Sequence, residues 1–282
     1  MGTVQMGLDY GINNTAGKIS FEDSCEILKN AFESGIDTLD TAEAYGSAHK
    51  VIGDFHRLHP DIQFRVITKV PHDIGGGEIK TKIEGYINDL QVPFLDVLMF
   101  HSFDSYQKNK EVTGILADLK TQGKIKNIGV SVYTNDQIET LLNDEIVSVI
   151  QMPFNLLDNA SLRGGLMKKM KVANKEVHTR SAFLQGLFFK NDYTDSISKQ
   201  LANEIDAIKG IANDEKTSLT NLALSYCLSQ KSIDKVLIGV DSVSQLAENI
   251  KASNYLISNT AVERIDAVKV NNLDLLNPSL WK

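Results

Sequence analysis

Residues 35–47 read GIDTLDTAEAYGS. The apolar run closes on the carboxylate of Asp40, and Tyr45 follows five residues later beside Gly46. A short, β-branched run that ends in an acid and leads into a polar turn reads as a buried strand whose C-terminal end opens onto a site. Two later runs have the same shape. Arg65-Val66-Ile67-Thr68-Lys69 ends in a lysine, and Val97-Leu98-Met99-Phe100-His101 ends in a histidine. Four polar groups at or just past strand ends point to one active site assembled from several strands.

Eight runs of this kind span the chain, at residues 3–6, 38–40, 64–69, 97–101, 127–131, 149–152, 176–180 and 236–239. Amphipathic stretches separate them. Ser20 opens the first, with Glu22 and Asp23 in the turn that faces the positive end of a helix dipole; Cys25, Ile27, Leu28, Ala31 and Phe32 recur at helical spacing, and Gly35 ends it. Further helices are expected at 78–90, 105–122, 135–142, 197–212, 218–228, 243–256 and 259–268. Strand-then-helix alternation requires parallel pairing through right-handed crossovers. Eight such units imply a closed α/β barrel, the (β/α)8 or TIM barrel, as a single domain over residues 1–282.

The chain has 282 residues, 42% of them hydrophobic, enough for one large core. A formal charge of -7 argues against a nucleic-acid footprint, which needs a basic face. Cys25 and Cys227 are the only cysteines and form no metal-type cluster, so neither a disulfide framework nor a metal site is expected. The first residues lack a basic signal-like region, and no apolar run nears the roughly 18 residues of a membrane span. A cytoplasmic protein with no membrane partner, monomeric or a small homo-oligomer, is the expectation.

In a barrel all strand C-termini share one face, so Asp40, Tyr45, Lys69 and His101 converge there. Singly, each has an ordinary structural role: a cap, a packing aromatic, a solvent-reaching lysine, a satisfied histidine. Together they suit proton-coupled reduction of a carbonyl. A free phenol titrates at about 10, too high for acid work near neutrality. A neighbouring ammonium stabilises phenolate, a carboxylate holds the ammonium, and a histidine orients the substrate oxygen.

These residues bring a family into view. The sequence resembles the aldo-keto reductases over nearly its whole length. GIDTLDTAEAYGS resembles that family's most diagnostic motif, and ITKV and MFHS its lysine and histidine strands. GKIKNIGVSVYT, VIQMPFNLLD and RSAFLQGL resemble later strand ends, and LIGVDSVSQLAENI the adenosine-binding segment. The resemblance implies that Asp40, Tyr45, Lys69 and His101 are the catalytic tetrad and that a nicotinamide cofactor, NADPH first with NADH possible, lies across the barrel mouth. It implies cofactor contacts from Gly2, Thr3, Ser131, Gln151, Arg180, Ser181, Gly239, Ser242, Gln245, Glu248 and Asn249. The implied function is an NAD(P)H-dependent oxidoreductase that reversibly reduces an aldehyde, ketone or sugar carbonyl, with Tyr45 as general acid. A cofactor-sensing regulatory subunit with the same fold is the alternative, and a lyase using Lys69 as a Schiff base is a third.

Departures from the family pattern are specific. Val132 stands where many members have an asparagine, Arg180 where many have a stacking aromatic, and His49 where a glutamate is common. The segment GVDSVSQLAEN lacks the basic residues that often hold a 2′-phosphate, and Asp241 lies nearby; a carboxylate there can instead pair with a ribose hydroxyl. Met1 directly precedes Gly2, so the usual N-terminal hairpin is lacking and a less covered barrel floor is expected. Tyr10, His72, Phe103, Tyr133, Phe154 and Phe183 are candidates for the substrate pocket. A rim of aromatics with few charges suits a neutral small-molecule carbonyl substrate.

Overall fold

The computed structural model describes residues 1–11 and 17–281; the last residue of the opening segment GTVQMGLDYGI, Ile12, lies outside them. Seven parallel strands run in sequence order: β1 (Thr38–Asp40), β2 (Arg65–Val70), β3 (Leu95–Phe100), β4 (Ile125–Ser131), β5 (Val149–Pro153), β6 (Glu176–Arg180) and β7 (Lys235–Val236). β2, β3 and β5 are buried along nearly their whole length, as strands covered on both faces must be. This is the (β/α)8 fold, with one stave reduced to a stub.

The expected first strand at residues 3–6 is a correction: Val4–Gly7 is a short helix, α1. What remains of the stave is Met1–Thr3. Asp40 N donates to Met1 O at 2.8 Å and Thr3 N to Asp40 O at 3.0 Å, while Gly2 N donates to Ile238 O at 2.7 Å. Gly2 therefore bridges β1 on one side and the chain beyond β7 on the other, joining the two edges of the sheet. The last strand is also shorter than expected, two residues rather than four.

Helices flank the sheet. α2 (Phe21–Glu33) begins where Ser20 accepts a hydrogen bond from Asp23 N, and it buries Ile27, Leu28 and Ala31. α3 (Ala48–Leu58), α4 (Ile79–Leu90) and α5 (Phe103–Lys108) follow in turn. The helix expected over 105–122 is interrupted. α5 gives way at Asn109, whose side-chain amide bonds Ser105 O at 2.7 Å and His72 O at 3.0 Å, and α6 (Thr113–Thr121) resumes after a 3-10 turn. Later helices are α7 (Asn135–Leu141), α8 (Ala160–Val172), α9 (Ser196–Gln200), α10 (Ala202–Asp214), α11 (Leu219–Leu228), α12 (Val243–Ser253) and α13 (Asn259–Ala267). No helix among the described residues is long and apolar enough to cross a membrane.

The core has two parts. A large cluster fills the layer between sheet and helices, and a small one of Ile67, Val97, Met99 and Val149 forms separately. Ile67 and Lys69 are two apart on β2, as are Val149 and Gln151 on β5, so each pair shares one face of its strand. The small cluster thus fills the barrel interior, and the polar groups of the next layer stand above an apolar plug.

Candidate active site

The register of β1, β2 and β3 sets Asp40 beside Ile67 and Lys69 beside Met99, with His101 just past the end of β3. Lys69 Nζ lies 2.5 Å from Asp40 Oδ1 and donates also to Thr41 O at 3.1 Å. The other carboxylate oxygen, Asp40 Oδ2, accepts from Gln151 Nε2 at 2.8 Å across the barrel. The Lys69 ammonium is 5.3 Å from the centroid of the Tyr45 ring, and the Tyr45 and His101 rings meet edge to face at 5.7 Å and 77°. The four residues are one cluster.

Burial works against the charge on Lys69, but the Asp40 carboxylate and the Tyr45 phenol outweigh it, so the ammonium titrates above its ordinary range. A lysine held charged is a poor Schiff-base nucleophile, which removes the main support for the lyase reading. His101 goes the other way. Burial, reinforced by Lys69, pulls it down to about 4, so its imidazole is neutral at pH 7 and one ring nitrogen carries a proton to donate.

Tyr45 is seated by a close backbone approach. A Cβ on Gly7, at the end of α1, would lie 1.7 Å from Tyr45 O and 2.7 Å from Ala48 N. Gly46 has φ +55, and a Cβ there would meet Gly7 O at 2.6 Å. Both positions need glycine, one for space and the other for space and conformation. The turn is held to β2 as well, through Thr41 N to Ile67 O at 2.8 Å and Glu43 N to Lys69 O at 3.1 Å.

The cluster forms the inner wall of a cleft of about 630 Å³. Among the residues expected to contact a cofactor, Gly2, Ser131, Gln151, Arg180, Ser181, Gly239, Gln245, Glu248 and Asn249 line it. Thr3 and Ser242 do not. Thr3 is buried and spends its hydroxyl on Asp40 O at 3.0 Å. Ser242 caps α12, accepting from Gln245 N at 3.2 Å. Asp241 also lines the cleft, and its Oδ1 is buried with no hydrogen-bond partner among the described residues. Gln5 is in the same condition: its Oε1 has no partner, and its side chain packs against Gly239. Buried polar atoms without partners are rare, and two on one cleft wall fit a ligand rich in hydroxyl and amide donors, as a dinucleotide is.

The six candidates for the substrate pocket divide evenly. Tyr10, Tyr133 and Phe183 line the cleft. His72 and Phe103 do not; the His72 carbonyl is tied to α5 through the Asn109 side-chain amide at 3.0 Å. Phe154 is fully buried and stacks on Tyr226 at 5.4 Å, so it belongs to the core.

Arg180 enters the cleft from the end of β6. Its Nη2 donates to Val132 O at 3.2 Å, and its guanidinium carbon lies 4.2 Å from the centroid of the Tyr133 ring. The Val132 side chain is itself buried and does not line the cleft; its carbonyl serves as the acceptor for Arg180. Tyr133 is fixed in turn. Arg163 Nη2 donates to Tyr133 O at 2.7 Å, while Nε and Nη2 grip Asp158 at 2.6 and 2.9 Å inside the protein. Beyond Arg180 the backbone is strained: Ser181, Leu184 and Gln185 have φ of 61, 45 and 53. This turn brings Phe183, Gln185 and Phe189 to the rim, and Gln185 Nε2 donates to Tyr10 Oη at 3.2 Å.

His49 lies behind the site. Its Nε2 pairs with Thr68 Oγ1 at 2.7 Å, and its ring meets Tyr86 edge to face at 5.1 Å. It therefore packs α3 against β2, one residue before Lys69. Burial pulls it down to about 4.

Comparison with known proteins gives a consistent result. The family model described as the aldo/keto reductase family matches residues 1–270. L-galactose dehydrogenase of Arabidopsis thaliana is 26% identical, over 88% of this chain and 83% of its own length. A probable voltage-gated potassium channel subunit beta of Oryza sativa subsp. japonica is 22% identical, over 93% and 92%. Among solved structures, the holo form of an aldo-keto reductase from Bacillus halodurans superposes with a TM-score of 0.78 at 18% identity, covering 96% of this chain and 92% of that one.

Proposed function

Because the chain belongs to the aldo/keto reductase family of oxidoreductases, we propose that it reduces a carbonyl to an alcohol, reversibly, with Tyr45 as the proton donor. The observation that carries this reading is the cluster itself: a buried ammonium, held by Asp40 at 2.5 Å, beside the Tyr45 ring, with a neutral imidazole on the ring's other contact. A dihydronicotinamide bound along this cleft would supply the hydride. As negative charge develops on the carbonyl oxygen, His101 donates an N–H to it and fixes its direction, and Tyr45 gives up the phenolic proton. The Lys69 ammonium stabilises the resulting phenolate, and Asp40 with Gln151 keeps that ammonium in position. Water restores the proton.

Gly2, Ser131, Gln151, Gly239, Gln245, Glu248 and Asn249 are the groups we assign to the cofactor, with Asp241 and Gln5 added for their unpartnered oxygens. Residues 237–250 contain Asp241 and Glu248 and no lysine or arginine. A 2′-phosphate would meet carboxylates there and no counter-charge. That favours NADH and reverses the order implied by the resemblance alone.

The test is Tyr45→Phe, assayed with a panel of small aldehydes alongside cofactor titration by Trp281 fluorescence. The expected result is turnover reduced by roughly 10²–10⁴-fold with cofactor affinity nearly intact. Equal turnover in the variant would remove the proposed acid. Saturable cofactor binding by a wild-type protein that turns over no carbonyl would favour the regulatory-subunit alternative; the rice relative is named as a probable channel subunit.

A further inference from the structure

We infer that the substrate carries an anionic group, a carboxylate or a phosphate, close to its reacting carbonyl, and that Arg180 binds it; this rests on the reductase reading above.

Arg180 is a half-buried charged group lining the cleft, and its observed partners are both neutral, the Val132 carbonyl and the Tyr133 ring. The neighbouring buried carboxylates are committed elsewhere, Asp40 to Lys69 and Asp158 to Arg163. Among the described residues around the reacting centre this leaves two cations, Lys69 and Arg180, against one carboxylate, with His101 neutral. A neutral carbonyl compound would leave the guanidinium without a counter-ion as the cleft fills and water leaves. A substrate with one anionic substituent would balance the charge.

The direction of the side chain decides between substrate and cofactor phosphates. Arg180 starts on β6 and reaches to the end of β4, three strands from β7 in the sheet order, and so away from the cleft lip at residues 239–249. It starts beyond the Ser131–Gln151 pair in the strand register, and its charge is near enough to act against a proton on both Lys69 and His101. Only one of its five N–H groups is used by Val132 O. The Asp158–Arg163–Tyr133 chain fixes the surface on which it stacks, so the fork is held ready for a planar or tetrahedral anion. The aromatic rim formed by Tyr10, Phe183 and Phe189 then covers the rest of the substrate.

The experiment uses matched substrate pairs with and without the anion: glyceraldehyde 3-phosphate against glyceraldehyde, and succinic semialdehyde against butanal. Wild-type protein is expected to favour the anionic member of at least one pair by roughly 10-fold or more in kcat/KM, the range of a charge-assisted contact. The pair that responds identifies phosphate or carboxylate. In Arg180→Met the ratio should fall to near one, and Arg180→Lys should keep part of it. Binding is read separately, by calorimetric titration of the protein–NADH complex with the product alcohols. Glycerol 3-phosphate or 4-hydroxybutyrate should bind, glycerol and 1-butanol should not, and Arg180→Met should abolish the difference. A wild-type ratio near one with no anion-selective product binding overturns the inference. So does an Arg180→Met protein with the ratio unchanged and only cofactor affinity reduced. Failure of the reductase reading looks different: no Tyr45-dependent turnover of either member of any pair.

Discussion

Gly7 and Tyr45 are in backbone contact so tight that a single methyl group on Gly7 would sit 1.7 Å from the Tyr45 carbonyl oxygen. The helix that replaces the first strand is thus the seat of the proposed proton donor. Gly7→Ala should push the Tyr45 turn away from Lys69 and His101. A displacement of about 1 Å at a reacting group lowers rate by about 100-fold, so kcat is expected to fall at least that far. Overpacking should also destabilise the fold by about 1–3 kcal/mol. Steady-state kinetics and thermal melts check both, and a fully active Gly7→Ala protein would refute the seating argument.

Lys69 and Asp40 form a buried pair. Lys69→Met would leave a carboxylate in the barrel with Gln151 as its remaining side-chain donor. Breaking such a pair costs about 3–5 kcal/mol, less here by whatever Gln151 retains. Turnover should fall sharply as well. The double variant Lys69→Met with Asp40→Leu should recover much of the stability and none of the turnover. Denaturant melts on the three variants separate the two roles.

His49 gives a pH signature. Its folded value of about 4 lies below the ordinary 6.5, so between these the unfolded chain binds a proton that the native protein does not. Stability is therefore full above about 6.5 and is lost as pH falls toward 4, by up to about 3 kcal/mol from this residue. His49→Gln, which keeps a donor for Thr68, should flatten the fall. Melting temperature measured from pH 7.5 to 4 tests it; parallel curves for the two proteins would reject the assignment.

Asp241 should set the cofactor ratio. Removing its charge in Asp241→Ser is expected to raise NADPH affinity relative to NADH by about 10-fold, and Asp241→Arg by more. Fluorescence titration of each variant with both cofactors measures this. An unchanged ratio would show that the adenosine lies away from this carboxylate.

Much of this site was legible in the chain because burial and chemistry coincide at strand ends. The runs leading to Asp40, Lys69 and His101 are apolar on both faces, which only a covered parallel strand explains. Residues 3–6 misled because TVQM alternates polar and apolar residues like a strand. The close packing of Gly7 on residues 45–48 decides for a helix, and that contact is between segments distant in sequence. α3 and α8 were not anticipated. In α8 two glycines stand side by side, Gly164 and Gly165, which weakens the local helix signal more than the single glycines of α4 and α10 do; α3 carries one, Gly53. Gly53 is there for closeness, since a Cβ would lie 1.8 Å from Asp89 O. For His72, Phe103 and Phe154 residue type alone points to the pocket. Phe154 is taken into the core by its stack on Tyr226, a contact between distant segments that no local pattern reveals.

The left-handed turn at Ser181, Leu184 and Gln185 governs how this protein can be redesigned. Three non-glycine residues in that backbone region form a segment whose shape is imposed by its surroundings, and asparagine or glycine would relax it. Libraries that diversify Phe183 and Phe189 while leaving those three positions unchanged, Leu184 being buried in the core, should retain a folded rim and vary which molecules it accepts. Libraries that introduce valine or isoleucine at 184 or 185 should lose folded protein before selectivity can be screened.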